Sequence, residues 1–127
     1  MSAAAVAANP GEPAFEEPVS ISYGKFTFTR KGWTAIISAD GRETQLPAHL
    51  FLRTTWRVLS HNLGLGVLIF YGGFAVHNLG DPVEGDKVKL YFLGEPKVEQ
   101  TFDKEEVRAK LKEIYDTLRW PKYEEWY

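Results

Sequence analysis

The chain has 127 residues, with 15 Lys and Arg against 17 Asp and Glu and no cysteine. That length holds one domain, or one domain plus a membrane span. A net charge of −2 with both signs dispersed excludes the basic footprint of a nucleic-acid binder. Lack of cysteine excludes a disulfide framework, a thiolate metal site and a cysteine nucleophile.

Residues 1–18 are rich in Ala, Pro and Glu and contain neither Lys nor Arg. They read as a flexible or surface-draped arm, matching neither a secretory signal nor an Arg-rich transit peptide. Residues 19–46 alternate as an antiparallel β-meander of three strands. Val19, Ile21 and Tyr23 share one face, as do Phe26 and Phe28, and then Trp33, Ala35 and Ile37. Lys31-Gly32 and Asp40-Gly41 mark the turns.

Pro47 suits the first position of a helix, where a missing N–H costs nothing. Phe51, Thr55, Val58 and Leu59 define one helical face, and Arg53 and Arg57 lie on another. From Val58 to Gly80 no side chain is charged. As one helix that run spans roughly 35 Å, enough for a hydrocarbon core of about 30 Å.

Two readings of the run are open. In the first, residues 47–80 form a helix that includes one transmembrane span over about residues 58–80. Gly66, Gly73 and Gly80 recur every seven residues, with Phe70 and His77 between them, so these five residues make a helix-packing interface in lipid. Arg53 and Arg57 before the run and Asp81, Glu84 and Asp86 after it agree with the positive-inside rule. In the second, only residues 63–76 are densely apolar. They form a buried hairpin of a soluble α+β protein-interaction module, turning at Tyr71-Gly72-Gly73.

Residues 81–127 begin with turn residues, and then Val88, Leu90 and Phe92 alternate as an extended segment up to Glu95-Pro96. A helix is expected over 101–119. Thr101 is its N-cap, Asp103, Glu105 and Glu106 complement the dipole, and Val107, Leu111, Ile114 and Leu118 form the apolar stripe. Pro121 ends it ahead of an aromatic, acidic tail.

No catalytic constellation accompanies these elements. His61 and His77 are sixteen residues apart, which on one helix separates them by ~24 Å, and His49 has no nucleophile or carboxylate beside it in sequence. His77 could serve as an axial haem ligand only across a dimer, against the simpler reading of a hydrogen-bonded boundary histidine. Gly64-x-Gly66 and Gly72-Gly73 lack the lysine of a phosphate loop. The acidic groups Asp81, Glu84, Asp86 and Asp103, Glu105, Glu106 lack calcium-loop spacing and read as solvated charge. The residues therefore lead to no catalytic, cofactor-binding or metal-binding group, and to a non-catalytic component.

The carboxyl-terminal part, from about Val76, resembles subunit IV of mitochondrial cytochrome c oxidase. Thr101-Phe102-Asp103-Lys104-Glu105-Glu106-Val107 with Lys110 matches the opening of that family's helix. Ile114-Tyr115-Asp116 matches its end, and Trp120, Tyr123, Glu124, Glu125 and Trp126 match its tail. The resemblance covers roughly 50 residues. It implies one transmembrane helix followed by a C-terminal amphipathic helix, and with the N-terminal antiparallel β-meander read from the residues the expected fold is a small α+β chain. It also implies a single-pass accessory subunit of the inner membrane, with its N-terminus in the matrix and its C-terminus in the intermembrane space. Such a subunit packs against neighbouring subunits and lipid, promotes assembly and stability, and holds no cofactor. Three features depart from the family: the longer connection between Gly80 and Thr101, the meander, and an arm without a basic import sequence.

Overall fold

The computed structural model describes residues 18–60, 69–79 and 86–120. Their order is β1 (Val19–Tyr23), β2 (Phe26–Lys31), β3 (Thr34–Ala39), β4 (Arg42–Pro47), α1 (Ala48–Ser60), β5 (Ile69–Tyr71), β6 (Phe74–Leu79), β7 (Lys87–Phe92), β8 (Glu99–Asp103) and α2 (Lys104–Leu118). Strands β1 to β4 make one antiparallel sheet and β5 to β8 a second, each a meander in chain order. Because side chains alternate across a strand, each sheet turns one apolar set inward. Phe26, Phe28, Ala35 and Ile37 do so from the first sheet, and Phe74, Val76, Val88, Leu90 and Phe92 from the second.

Both helices close over the same core. Phe51 of α1 packs its ring 6.2 Å from Phe28, and Trp56 stacks on Tyr115 of α2 at 5.4 Å. Between the sheets, Phe26 meets Phe74 edge-on at 5.2 Å, and Tyr23 stacks on Phe102 at 4.1 Å. Short polar contacts pin the hairpin tips of one sheet to the other. The Arg42 guanidinium donates to the carbonyls of Leu93, Gly94 and Pro96, with its Cζ 5.3 Å from the Phe92 ring centre. The Lys25 amide donates to Gln100 Oε1 at 2.8 Å.

Beside that contact, Gly24 has φ +58°, and a Cβ there would lie 2.6 Å from the Phe102 ring and against the Gln100 side-chain amide. Gly24→Ala is expected to cost about 1–2 kcal/mol for the left-handed backbone alone, before Phe102 is displaced. Thermal denaturation should show a fall of several degrees, and an unchanged midpoint would mean that the turn does not seat against β8.

The transmembrane expectation fails on this architecture. No helix among the described residues is long and apolar enough to cross a membrane. The helix that begins the run stops at Ser60, and its far end is the hairpin β5–β6, turning at Gly72-Gly73. Ile69, Tyr71, Phe74 and Val76 are uncharged because they enter a protein interior, which excludes charge as lipid does. The hairpin form of the alternative reading therefore fits, and the single-pass, inner-membrane placement does not. Residues 61–68 and 80–85, including Gly66 and Gly80, lie outside the described residues.

The expected helix start is also corrected. Thr101 belongs to β8, paired with Lys89, and Asp103 stands at the N-cap position without a side-chain cap bond. In the first sheet, residues 42–47 add a fourth strand, β4, in register with β3 from Ala39↔Arg42 to Thr34↔Pro47.

Candidate interaction surface

The helices and the first sheet cover the inner side of β5–β8, leaving its outer side as the surface that carries Phe70 and His77 of the expected packing residues. In β5, Ile69 and Tyr71 are buried while Phe70 between them is half exposed. Cross-strand register then sets the rows. Phe70 lies opposite Ala75, Ala75 opposite Tyr91, and Tyr91 opposite Glu99. His77, Lys89 and Thr101 form the next row, and Leu79, Lys87 and Asp103 the last. Ala75, flanked across strands by Phe70 and Tyr91, is buried.

The face is apolar at the β5 edge and ion-paired toward β8. Lys89 Nζ lies 3.2 Å from Glu99 Oε1 and 5.9 Å from the centre of the Tyr91 ring, and Lys97 approaches the same carboxylate at 3.4 Å. Lys87 meets Asp103 at 2.6 Å. The hydrogen bond from Lys89 is the main cause holding the Glu99 carboxyl below its ordinary range, aided by the charges of Lys89 and Lys97. The bond to Asp103, with that carboxylate's charge, holds the Lys87 ammonium above its ordinary range. Lys87 is exposed and Glu99 half-buried at the surface, so these pairs orient side chains more than they stabilise the fold.

Of the five residues placed on a membrane packing stripe, two come together here by a different geometry. Phe70 and His77 share the outer face through strand pairing and the two-residue alternation of β6, not through a seven-residue helical repeat. Gly73 sits in the turn, and its amide donates to Thr44 Oγ1 of β4 at 3.1 Å. Tyr91, Lys89 and Glu99 complete the face; the alternation of residues 87–92 carried the signal for β7, but nothing local named its partner strands. His49 stands on α1, apart from His77 on β6. Among the described residues, no group of three or more His, Cys, Asp or Glu could hold a metal ion.

No protein-family model matches the chain, and no curated protein matches it. Two solved structures match its fold. Hydroquinone 1,2-dioxygenase from Sphingomonas sp. TTNP3 in complex with 4-nitrophenol superimposes with a TM-score of 0.63 and 24% identity, over 76% of this chain and 31% of that one. The same enzyme with 4-hydroxybenzoate bound gives 0.61 and 20%, over 78% of this chain and 35% of that one. The chain therefore spans about a third of the length of the chains it matches. At these identities the likeness shows the fold alone. The fold recurs within part of an enzyme chain, so it lends no support to the expectation of a non-catalytic component. The resemblance to oxidase subunit IV finds no counterpart in these likenesses, and the membrane helix it implied is absent from the described residues.

Proposed function

We propose that the chain is an α+β protein-interaction module working as one domain-sized part of a hydroquinone-dioxygenase-like oxygenase assembly. The outer face of β5–β8 is where it receives the polypeptide that plays the part of the neighbours' remaining length. One observation carries the reading: the fold corresponds to about a third of an enzyme chain solved with 4-nitrophenol and with 4-hydroxybenzoate bound. A module of that kind needs a surface with an apolar anchor and a polar, oriented surround. Phe70 is such an anchor, half exposed on β5 with Ala75 between it and Tyr91, and Lys89, Glu99, Lys87 and Asp103, held in ion pairs, follow toward β8.

The test is purification of the tagged full chain from its own cells, followed by oxygen uptake in the presence of hydroquinone. A co-purifying polypeptide and hydroquinone-dependent oxygen consumption are expected. Phe70→Glu should remove the partner while changing folding stability by no more than roughly 0.5 kcal/mol, because the side chain is already half in water. A preparation without partner and without oxygen uptake would overturn the reading, and so would a Phe70→Glu variant that retains the partner in full.

A further inference from the structure

Helix α1 carries cations and no acids, in a chain whose net charge is negative. Its buried side, Ala48, Phe51, Leu52, Thr55 and Val58, seats on the core. Leu50, Arg53 and Arg57, at helical spacings of three and four, fall on the opposite, outward stripe, and all three are exposed. Leu50 keeps 49% of its surface in water. Most other cations in the described residues already have partners: Arg42 holds three carbonyls, and Lys25, Lys87, Lys89, Lys110 and Lys112 each face a carboxylate. No ion pair or hydrogen bond engages the guanidinium of Arg53 or Arg57 among the described residues. At the start of the helix the Ala48 amide donates to the Trp33 carbonyl at 2.8 Å, placing a second exposed apolar side chain, Trp33, next to that end.

We infer that the outward stripe of α1 docks an acidic amphipathic helix of a partner polypeptide, with two carboxylates one turn apart on Arg53 and Arg57 and an apolar side chain over Leu50. The four-residue spacing places the two guanidiniums about 6 Å apart along the axis, which is the repeat of carboxylates at i and i+4 on another helix. Each guanidinium presents a planar fork that a carboxylate fills with two hydrogen bonds. Other anionic partners fit less well. A duplex that binds through phosphates engages typically 6–10 cations, and an anionic bilayer is recognised by clusters of about 4–8 basic residues. Two guanidiniums beside a half-exposed leucine suit a short peptide helix. This surface is separate from the outer face of β5–β8, so the inference does not depend on the proposed oxygenase role.

The experiment uses the full chain and a synthetic helical peptide bearing Glu four residues apart with Leu one turn before them. Control probes are the same peptide with Gln for Glu, phosphatidylserine vesicles and a single-stranded oligonucleotide. The acidic peptide should bind saturably and lose affinity as ionic strength rises above ~0.15 M. Arg53→Glu/Arg57→Glu should weaken it roughly tenfold, two exposed charge contacts becoming repulsive. Arg53→Lys/Arg57→Lys should fall between, because charge remains but the fork is gone. Lys31→Glu, an exposed cation on β2, should leave binding unchanged. Equal affinity for the Gln peptide, equal affinity of the charge-reversed variant, no binding of the acidic peptide, or tighter binding to vesicles or oligonucleotide would each overturn the inference.

Discussion

Phe74→Ala is expected to remove about 3–5 kcal/mol of folding stability. Phe74 is 1% exposed and packs against rings of both sheets. Phe26 and Phe28 of β2 approach it edge-on at 5.2 and 5.7 Å, Phe92 of β7 does so at 5.6 Å, and Tyr71 lies stacked at 6.3 Å. Truncation leaves a cavity bounded by strands of both sheets, which a sandwich pinned by Arg42 and Gln100 cannot collapse to fill. A domain of this size has a total of about 5–15 kcal/mol, so the variant should be marginal, with its urea midpoint strongly reduced and its m-value kept. Phe70→Ala, four residues earlier and half exposed, should change stability by less than roughly 1 kcal/mol. The contrast separates this fold from a lipid-embedded helix, in which Phe70 would lie on the packing stripe. Similar losses for both variants would refute the inter-sheet core.

The same pair of phenylalanines shows what was legible in the chain and what was not. Alternation is a local property, so the inward residues of β2, β3 and β7 could be read from Phe26 and Phe28, Ala35 and Ile37, and Val88, Leu90 and Phe92. Turn chemistry is local too. Asp40 and Gly41 both adopt positive φ, at 47° and 81°, and Gly72 does so at 65°, as tight hairpins require. The uncharged run was ambiguous for a physical reason. A bilayer and a protein core both exclude charge, and the run joins the end of a half-buried helix to a hairpin buried on its inner side. Gly73 entered a sevenfold series because a turn needs a small residue at a position that happened to fit the count. The surface pairings of Ala75 with Phe70 and with Tyr91, and the seating of Lys25 on Gln100, link residues 5 to 75 positions apart, beyond the reach of any window. Thr101 and Asp103 are both good cap residues, and the continuation of β8 through Asp103, where it pairs with Lys87, decided between them.

The alkaline limit of the fold should be set by Tyr71. Its side chain is buried, with its hydroxyl 3.3 Å from Thr55 Oγ1, which itself donates to the Phe51 carbonyl at 2.9 Å. Burial, only partly opposed by the Thr55 contact, pushes the phenol up from 10 to about 12. The neutral form is therefore kept in the folded state while an unfolded tyrosine ionises. Below pH 10 neither state loses the proton and stability is untouched. Between pH 10 and about 12 the unfolded chain binds fewer protons than the folded one, so stability falls as pH rises, by on the order of a few kcal/mol across that window. Tyr23 acts in the same direction, its phenol raised by burial first and then by the carboxylates of Glu106 and Asp103. Lys87 adds to the trend, since the stabilisation of its ammonium by Asp103 is lost on deprotonation, although its exposure keeps the contribution small. Urea unfolding at stepped pH should show this decline in the parent chain and a shallower one in Tyr71→Phe, while tyrosinate absorbance reports the Tyr71 and Tyr23 phenols ionising only as the fold opens. Parallel declines in the two proteins, or a full complement of phenols titrating near pH 10 in the folded chain, would show that Tyr71 is not sealed between α1 and the hairpin.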